Sequence, residues 1–193
     1  MNIFVLHEDP VIAAQMLCDK HVVKMVLETA QLLSSVFWVA KESGPLVSIT
    51  DKSISVPYKL THKNHPCSVW ARESKENFDW LITHGKELCK EYTYRYKKEH
   101  KSEKVIDWCD SNKNLLIFQS TDMQAFVQAL PEQHKCNDAV EAYRKYYLQE
   151  KMRFAKWEKG RAKPDWVTEQ PTTSVSDVKV AATHQAVERP KRR

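Results

Sequence analysis

Between Val11 and about Ala40, apolar side chains recur so densely that a long helix with most of its surface buried is the one element that accommodates them. Met16, Leu17, Val22, Val23, Met25, Val26, Leu27, Leu32, Leu33, Val36 and Phe37 cover most of that helix. His7-Glu-Asp-Pro10 reads as its start, because an Asp9 carboxylate can cap free amides and Pro10 suits a first turn. Ser43-Gly-Pro45 ends it. A helix that apolar needs neighbours to cover it, and 193 residues supply one substantial core but not two typical domains.

The neighbours are legible in outline. A second long helix starts at Pro66 and runs to about His100, where Gly85 can interrupt it at a cost of about 1 kcal/mol relative to Ala. Ile106 to Phe118 reads as a short helix and loop, and Thr121 to Leu130 as a short amphipathic helix stopped by Pro131. Asn137 to Trp157 reads as a fourth main helix, capped by Asn137 or Asp138. Leu46 to Leu60, with Pro57 inside it, is a loop or short edge strand, and Asn2 to Leu6 a short strand or extended segment. The expected fold is all-α or predominantly α: a compact multi-helix single domain with a short extended N-terminal segment. It divides into a helical nucleic-acid-processing domain over residues 1–167 and a flexible basic tail over 168–193, ending Arg189-Pro-Lys-Arg-Arg193.

Composition excludes several classes. Three glycines leave no room for a glycine-rich phosphate loop. Five scattered cysteines lack CxxC spacing and the density of a disulfide framework. Met1 to Leu6 has neither a basic nor a long apolar leader region, and no run approaches the roughly 18 apolar residues of a membrane span. A reducing compartment follows as the expectation: the cytoplasm, or the host cytoplasm for a phage-encoded chain, with no membrane partner. A net charge of +5 is compatible with nucleic acid without requiring it.

Chemistry concentrates in two places. On the first helix His21, Lys24, Glu28 and Gln31 fall in one column among apolar neighbours, flanked by Asp19 and Lys20. Burying such groups unpaired is costly, so the column lines a cleft or forms a structural ion network. In a cleft, Lys24 or Lys20 supplies an amine or holds a phosphate, Glu28 or Asp19 moves protons, and His21 titrates near neutrality. The second place is Thr61-His-Lys-Asn-His-Pro66, where His62, Lys63, Asn64 and His65 stand before a helix start that can face an anion. His62 and His65 have no close third ligand, so neither a metal nor another cofactor is expected.

Basic and aromatic residues then alternate. Arg72 precedes a run in which Tyr94, Arg95 and Lys97 can contact phosphates and stack on unpaired bases. Arg144 to Lys163 holds eight basic residues against two acidic ones, with Arg144, Lys151 and Arg153 interleaved by Tyr and Phe. The matching reading is a solvated helix anchored by its rings. The functional reading is contact with a DNA backbone.

The order of these features resembles the pyrimidine-dimer DNA glycosylase family, small all-helical enzymes related to endonuclease V of the T-even phages. The residues that carry it are the short apolar start, Ile12-Ala-Ala-Gln-Met-Leu17, and Lys63-Asn-His-Pro66 opening a helix that ends in a Tyr- and Lys-rich run, all within roughly the first hundred residues. The resemblance implies attack on C1′ of a damaged nucleotide by the amine at the processed chain start, helped by a first-helix glutamate and by arginines. This chain starts Met1-Asn2, and a bulky second residue disfavours methionine removal, which assigns the amine to Met1. The register puts Val22 or Val23 in the family glutamate's place, with Glu28 more than one turn further on.

Three functions stay open on these grounds: a glycosylase and abasic-site lyase acting on a damaged or modified pyrimidine in DNA, a base- or nucleotide-modifying enzyme, and a non-catalytic nucleic-acid-binding protein. DNA is the expected partner in the first two.

Overall fold

The long apolar run folds as two helices rather than one. The structure, a computed structural model, describes residues 1–167; the tail expected over 168–193 lies outside the described residues. Helix α1 spans Pro10–Met16 and α2 Asp19–Lys41, with Leu17 and Cys18 extended between them. Breaking a helix orphans carbonyls and amides that must find partners if buried. Here distant side chains take them. Arg95 donates to the Gln15 and Leu17 carbonyls and the Trp157 indole to that of Met16. The Cys18 amide donates to the Tyr147 hydroxyl, and the Asp19 amide to the Lys156 carbonyl. Asp9 caps α1 as its position suggested, accepting from Val11 and Ile12.

Helix α2 is the central helix of the molecule and packs against the helical segments 66–70, 75–96 and 103–112. By length and composition it would pass for a membrane span, against the expectation from the sequence, yet 72% of its apolar window is buried inside the protein. The second long helical run is also broken. Helix α3 covers Pro66–Trp70 and α4 Lys75–Tyr96, with Ser74 capping α4 through the Asn77 amide. Gly85 does not interrupt α4. A Cβ there would stand 2.8 Å from the Thr29 methyl of α2, so the glycine lets the two helices touch.

Helix α5 spans Glu103–Asn112. Strand β1 (Val47–Ile49) pairs antiparallel with β2 (Leu116–Phe118), Ser48 opposite Ile117. The amphipathic helix expected over Thr121 to Leu130 does not form. Its stretch instead serves the start of α4: the Ser120 and Thr121 carbonyls accept from the Lys75 and Glu76 amides, and the Gln124 amide donates to Asn77. Those bonds satisfy the chain without helix, and local propensity yields to them. The last helix, α6, is shorter than expected, Ala139–Tyr146 with Asp138 as its cap, and closes in a single π turn at Tyr147–Lys151. The result is a compact, predominantly helical single domain with a short extended N-terminal segment and a two-stranded sheet.

Candidate active site

The chain start lies against α2. Asn2 organises it: its side-chain oxygen accepts from the Ile3 and Phe4 amides at 2.7 and 3.1 Å, and its amide nitrogen donates to the Ala129 carbonyl at 2.9 Å. Such short-range turns are a habit of asparagine. Phe4 then takes φ 55°, a left-handed conformation that costs a bulky residue of the order of 1–3 kcal/mol. Its ring offsets part of that by stacking on His21, with centroids 4.5 Å apart.

This turn delivers the chain start to Glu28 in the third turn of α2. Glu28 Oε2 accepts from the Asn2 amide at 2.9 Å and stands 3.9 Å from the Met1 amine. Glu28 Oε1 pairs with Lys24 at 3.2 Å. The Met1 side chain is only 3% exposed although the residue as a whole is half-buried, so its thioether is the anchor and its main-chain end the accessible part.

The histidine-rich turn meets the same place. Ser35 Oγ bridges the Gln31 carbonyl of α2 and the Thr61 carbonyl, drawing the turn onto the helix. His65 caps α3, its Nδ1 accepting from the Cys67 amide at 3.2 Å, which leaves the ring hydrogen on Nε2 when the imidazole is neutral. Its basicity is lowered first by burial, then by the Met1 amine and His62, while Glu28 acts in the opposite direction. Amine, carboxylate and imidazole therefore share one electrostatic neighbourhood. Cys67 lies beneath it against the Ile3 backbone, and burial pushes its thiol up to about 12, so it is no nucleophile at neutral pH.

Other members of the expected set sit elsewhere or do other work. His21 does not titrate near neutrality: burial, then Lys151 and Lys24, push it down to about 4. Its Nδ1 is 2.8 Å from the Tyr147 hydroxyl, which accepts from the Cys18 amide and keeps its own proton for the ring. Asp19 is not poised for proton transfer, because one oxygen accepts from Arg95 at 3.0 Å and the other from the Glu158 amide at 2.8 Å. Arg95 itself has a fully buried side chain, bonded also to Glu91, and cannot reach a phosphate.

Arg72 is buried and donates to the Lys63 and Ser68 carbonyls, so it shapes the histidine turn. Lys63 pairs with Glu42, while His62 and Asn64 are exposed. Tyr94 is 45% exposed, but its ring already carries Lys97 and Arg161, each at 4.9 Å, which leaves poor access for a base. Arg144 is turned inward, donating to the Leu6 carbonyl. Lys20 and Arg153 are exposed at 5.6 and 5.9 Å over the Phe154 ring, and Lys151 lies 4.5 Å over Tyr146. These three and Lys24 form the basic edge that the structure leaves near the N-terminal half of α2. No group of three or more His, Cys, Asp or Glu converges as a metal ion would require among the described residues.

The family model for pyrimidine dimer DNA glycosylases matches residues 1–104, more than half of the chain. The chain belongs to that family. No curated protein and no solved structure matches it. All residues gathered at the chain start, Met1, Lys24, Glu28 and His65, fall inside the part shared with the family; Lys151 and Arg153 fall outside it.

Of the two valines that the register puts in the family glutamate's place, Val22 is buried in the core and Val23 is exposed; the carboxylate against the chain start is that of Glu28. Sequence reading missed Asn2, Phe4 and Tyr147. An asparagine beside the first residue was a usable turn signal for Asn2; nothing local marked the other two.

Proposed function

We propose that this protein removes a damaged or modified pyrimidine from DNA and cleaves the strand at the resulting abasic site, through an imine between C1′ and the Met1 amine. The observation that carries the reading is the amine 3.9 Å from the Glu28 carboxylate, with both near enough to His65 to act on its charge. Nucleophilic catalysis needs an amine that is unprotonated near neutral pH and a base within reach of its proton.

In the proposed step the Met1 nitrogen forms a bond to C1′ as the bond from C1′ to the base breaks, and the base leaves with the bonding pair and takes up a proton. Glu28 accepts the proton released by the attacking nitrogen. Opening of the sugar ring gives the imine, and loss of a proton from C2′ then expels the 3′ phosphate. The Nε2 hydrogen of His65 is suited to a sugar or phosphate oxygen of the same nucleotide. Leu27 and Val23, 40% and 37% exposed, stand on α2 between and beside Lys20 and Lys24, an edge both apolar and basic that suits an unstacked strand.

The test is single-turnover incubation with duplexes carrying a pyrimidine dimer or an abasic site, in the presence of borohydride, which reduces an imine to a stable amine. The expected product is a protein–DNA adduct mapped to the N-terminal peptide. No adduct on either substrate removes the imine. A mass change on a base without an abasic product moves the reading to base modification.

A further inference from the structure

We propose that the cavity between the α2–β1 turn and the histidine turn binds a phosphate oxyanion, with Arg72 and Lys63 as its cationic ligands. The cavity measures about 310 Å³ and is walled by Val39, Gly44 and Leu46, with Glu42, Lys63 and Arg72 on its polar side.

Two arginines of the described residues are buried, and they differ in one respect. Arg95 has two carboxylates against it, whereas Arg72, 8% exposed, has none within ion-pair distance among the described residues. Its NH1 nitrogen is committed to the Lys63 carbonyl at 2.7 Å and the Ser68 carbonyl at 3.0 Å. Its Nε and NH2 have no hydrogen-bond partner among the described residues, and the guanidinium borders the cavity. Nε and NH2 are not among the fully buried unpartnered atoms, so they open toward the cavity, and a forked donor matches two oxygens of one phosphate. Burial lowers the basicity of Arg72, and Glu73 acts in the opposite direction from beyond ion-pair distance.

Lys63 supplies the second charge. It is paired with Glu42, but both side chains are about half exposed, so Glu42 can swing outward and leave the ammonium to an incoming anion. The apolar wall strengthens any charge interaction made in front of it. Occupancy would also reach the active site, because Arg72 holds the carbonyl of Lys63, two residues before His65.

This rests on the proposed function for the source of the phosphate, the backbone of the DNA strand next to the attacked nucleotide. Free phosphate or a nucleotide offers the same oxyanion, and two arms separate them. In the first, inorganic phosphate is titrated into the full chain while the Arg72 Nε–H resonance is followed. Expected are a shift of that resonance, at least tenfold weaker binding in Lys63→Gln, and several-fold tighter binding in Glu42→Gln.

In the second arm, binding of an abasic duplex is measured over a range of salt. Lys63→Gln is expected to weaken it and to lower the slope of log K against log salt by about one. A methylphosphonate, which removes the charge of one phosphate beside the abasic site, is expected to cost the wild type affinity and Lys63→Gln almost none. A response to inorganic phosphate alone overturns DNA as the source. An unmoved Arg72 resonance, with both variants binding as the wild type does, overturns the site. Borohydride trapping reads the cleavage proposal separately: an adduct without any phosphate effect sinks only this cavity, and a phosphate effect without an adduct sinks only the chemistry.

Discussion

Two carboxylate clusters lie on or against α2, and their carboxylates are almost equally hidden. At the helix start, Asp19 and Glu91 have side chains 8% and 5% exposed; in its third turn, Glu28 is 11% exposed. Their cations are what differ. Arg95 is fully buried and spends every nitrogen on Asp19, Glu91 and the carbonyls of Gln15 and Leu17, while Arg161 closes over Glu91 from the C-terminal segment. Lys24 is 64% exposed, and the Met1 amine stops 3.9 Å short, beyond hydrogen-bond distance. A saturated cluster can only hold the fold together. An incompletely bonded one, with donors that can still move, has capacity left for a substrate.

The largest effect expected from this contrast is on chemistry. Glu28→Gln keeps the shape and an oxygen for the Asn2 amide but removes the base, so single-turnover adduct formation falls by about 10²- to 10⁴-fold with the melting temperature nearly unchanged. An unaltered rate would mean that the two clusters do not differ in the way described. The mirror experiment is Arg95→Met. It leaves Asp19 and Glu91 buried without their shared cation and costs about 3–5 kcal/mol of stability. The adduct rate per folded molecule, measured well below the melting temperature, should hold.

Acid sharpens the same contrast. His21 and His84 are both held to about 4 by burial, from an ordinary value of 6.5. Below pH 6.5 the unfolded chain therefore binds protons that the folded chain refuses, and stability falls as the pH drops from 6.5 to 4, where the loss levels off. The slope reaches about 1.4 kcal/mol per pH unit for each histidine, and the loss comes to the order of 3 kcal/mol for each. Denaturant unfolding at pH 7, 5.5 and 4.5 measures it. His21→Gln should flatten the slope, and an unchanged slope would show that His21 carries a proton in the folded state.

The sequence announced what lies along one helix and concealed what crosses between distant parts. The spacing of Lys24 and Glu28 was readable, and so was the cap at Asp9, because each needs only its own few neighbours. The break at Leu17 and Cys18 was not, since the groups that make it tolerable, Arg95, Tyr147, Lys156 and Trp157, are far away in the chain. The same reason hid the fate of Asp19. Its type and position matched Glu28 as a proton carrier, and only the arrival of Arg95 and the Glu158 amide decided otherwise. Thr121 to Leu130 repeats the lesson on the backbone, where bonds to the start of α4 replaced those of a helix.

The smallest effect, and the most discriminating, concerns Lys24. Its pair with Glu28 is an exposed i,i+4 contact, so Lys24→Gln should move stability by well under 1 kcal/mol. As a phosphate-facing charge it should lower the salt slope of DNA binding by about one, and the adduct rate at saturating DNA by no more than about tenfold. These numbers matter because Lys24 is the other amine within reach of Glu28. If Lys24→Gln abolishes the borohydride adduct while binding survives, the nucleophile is the lysine and the turn built by Asn2 and Phe4 only packs the chain start away. If the adduct persists and maps to the N-terminal peptide, the open end of the comparison belongs to Met1, and Lys24 serves Glu28 as its movable counter-charge.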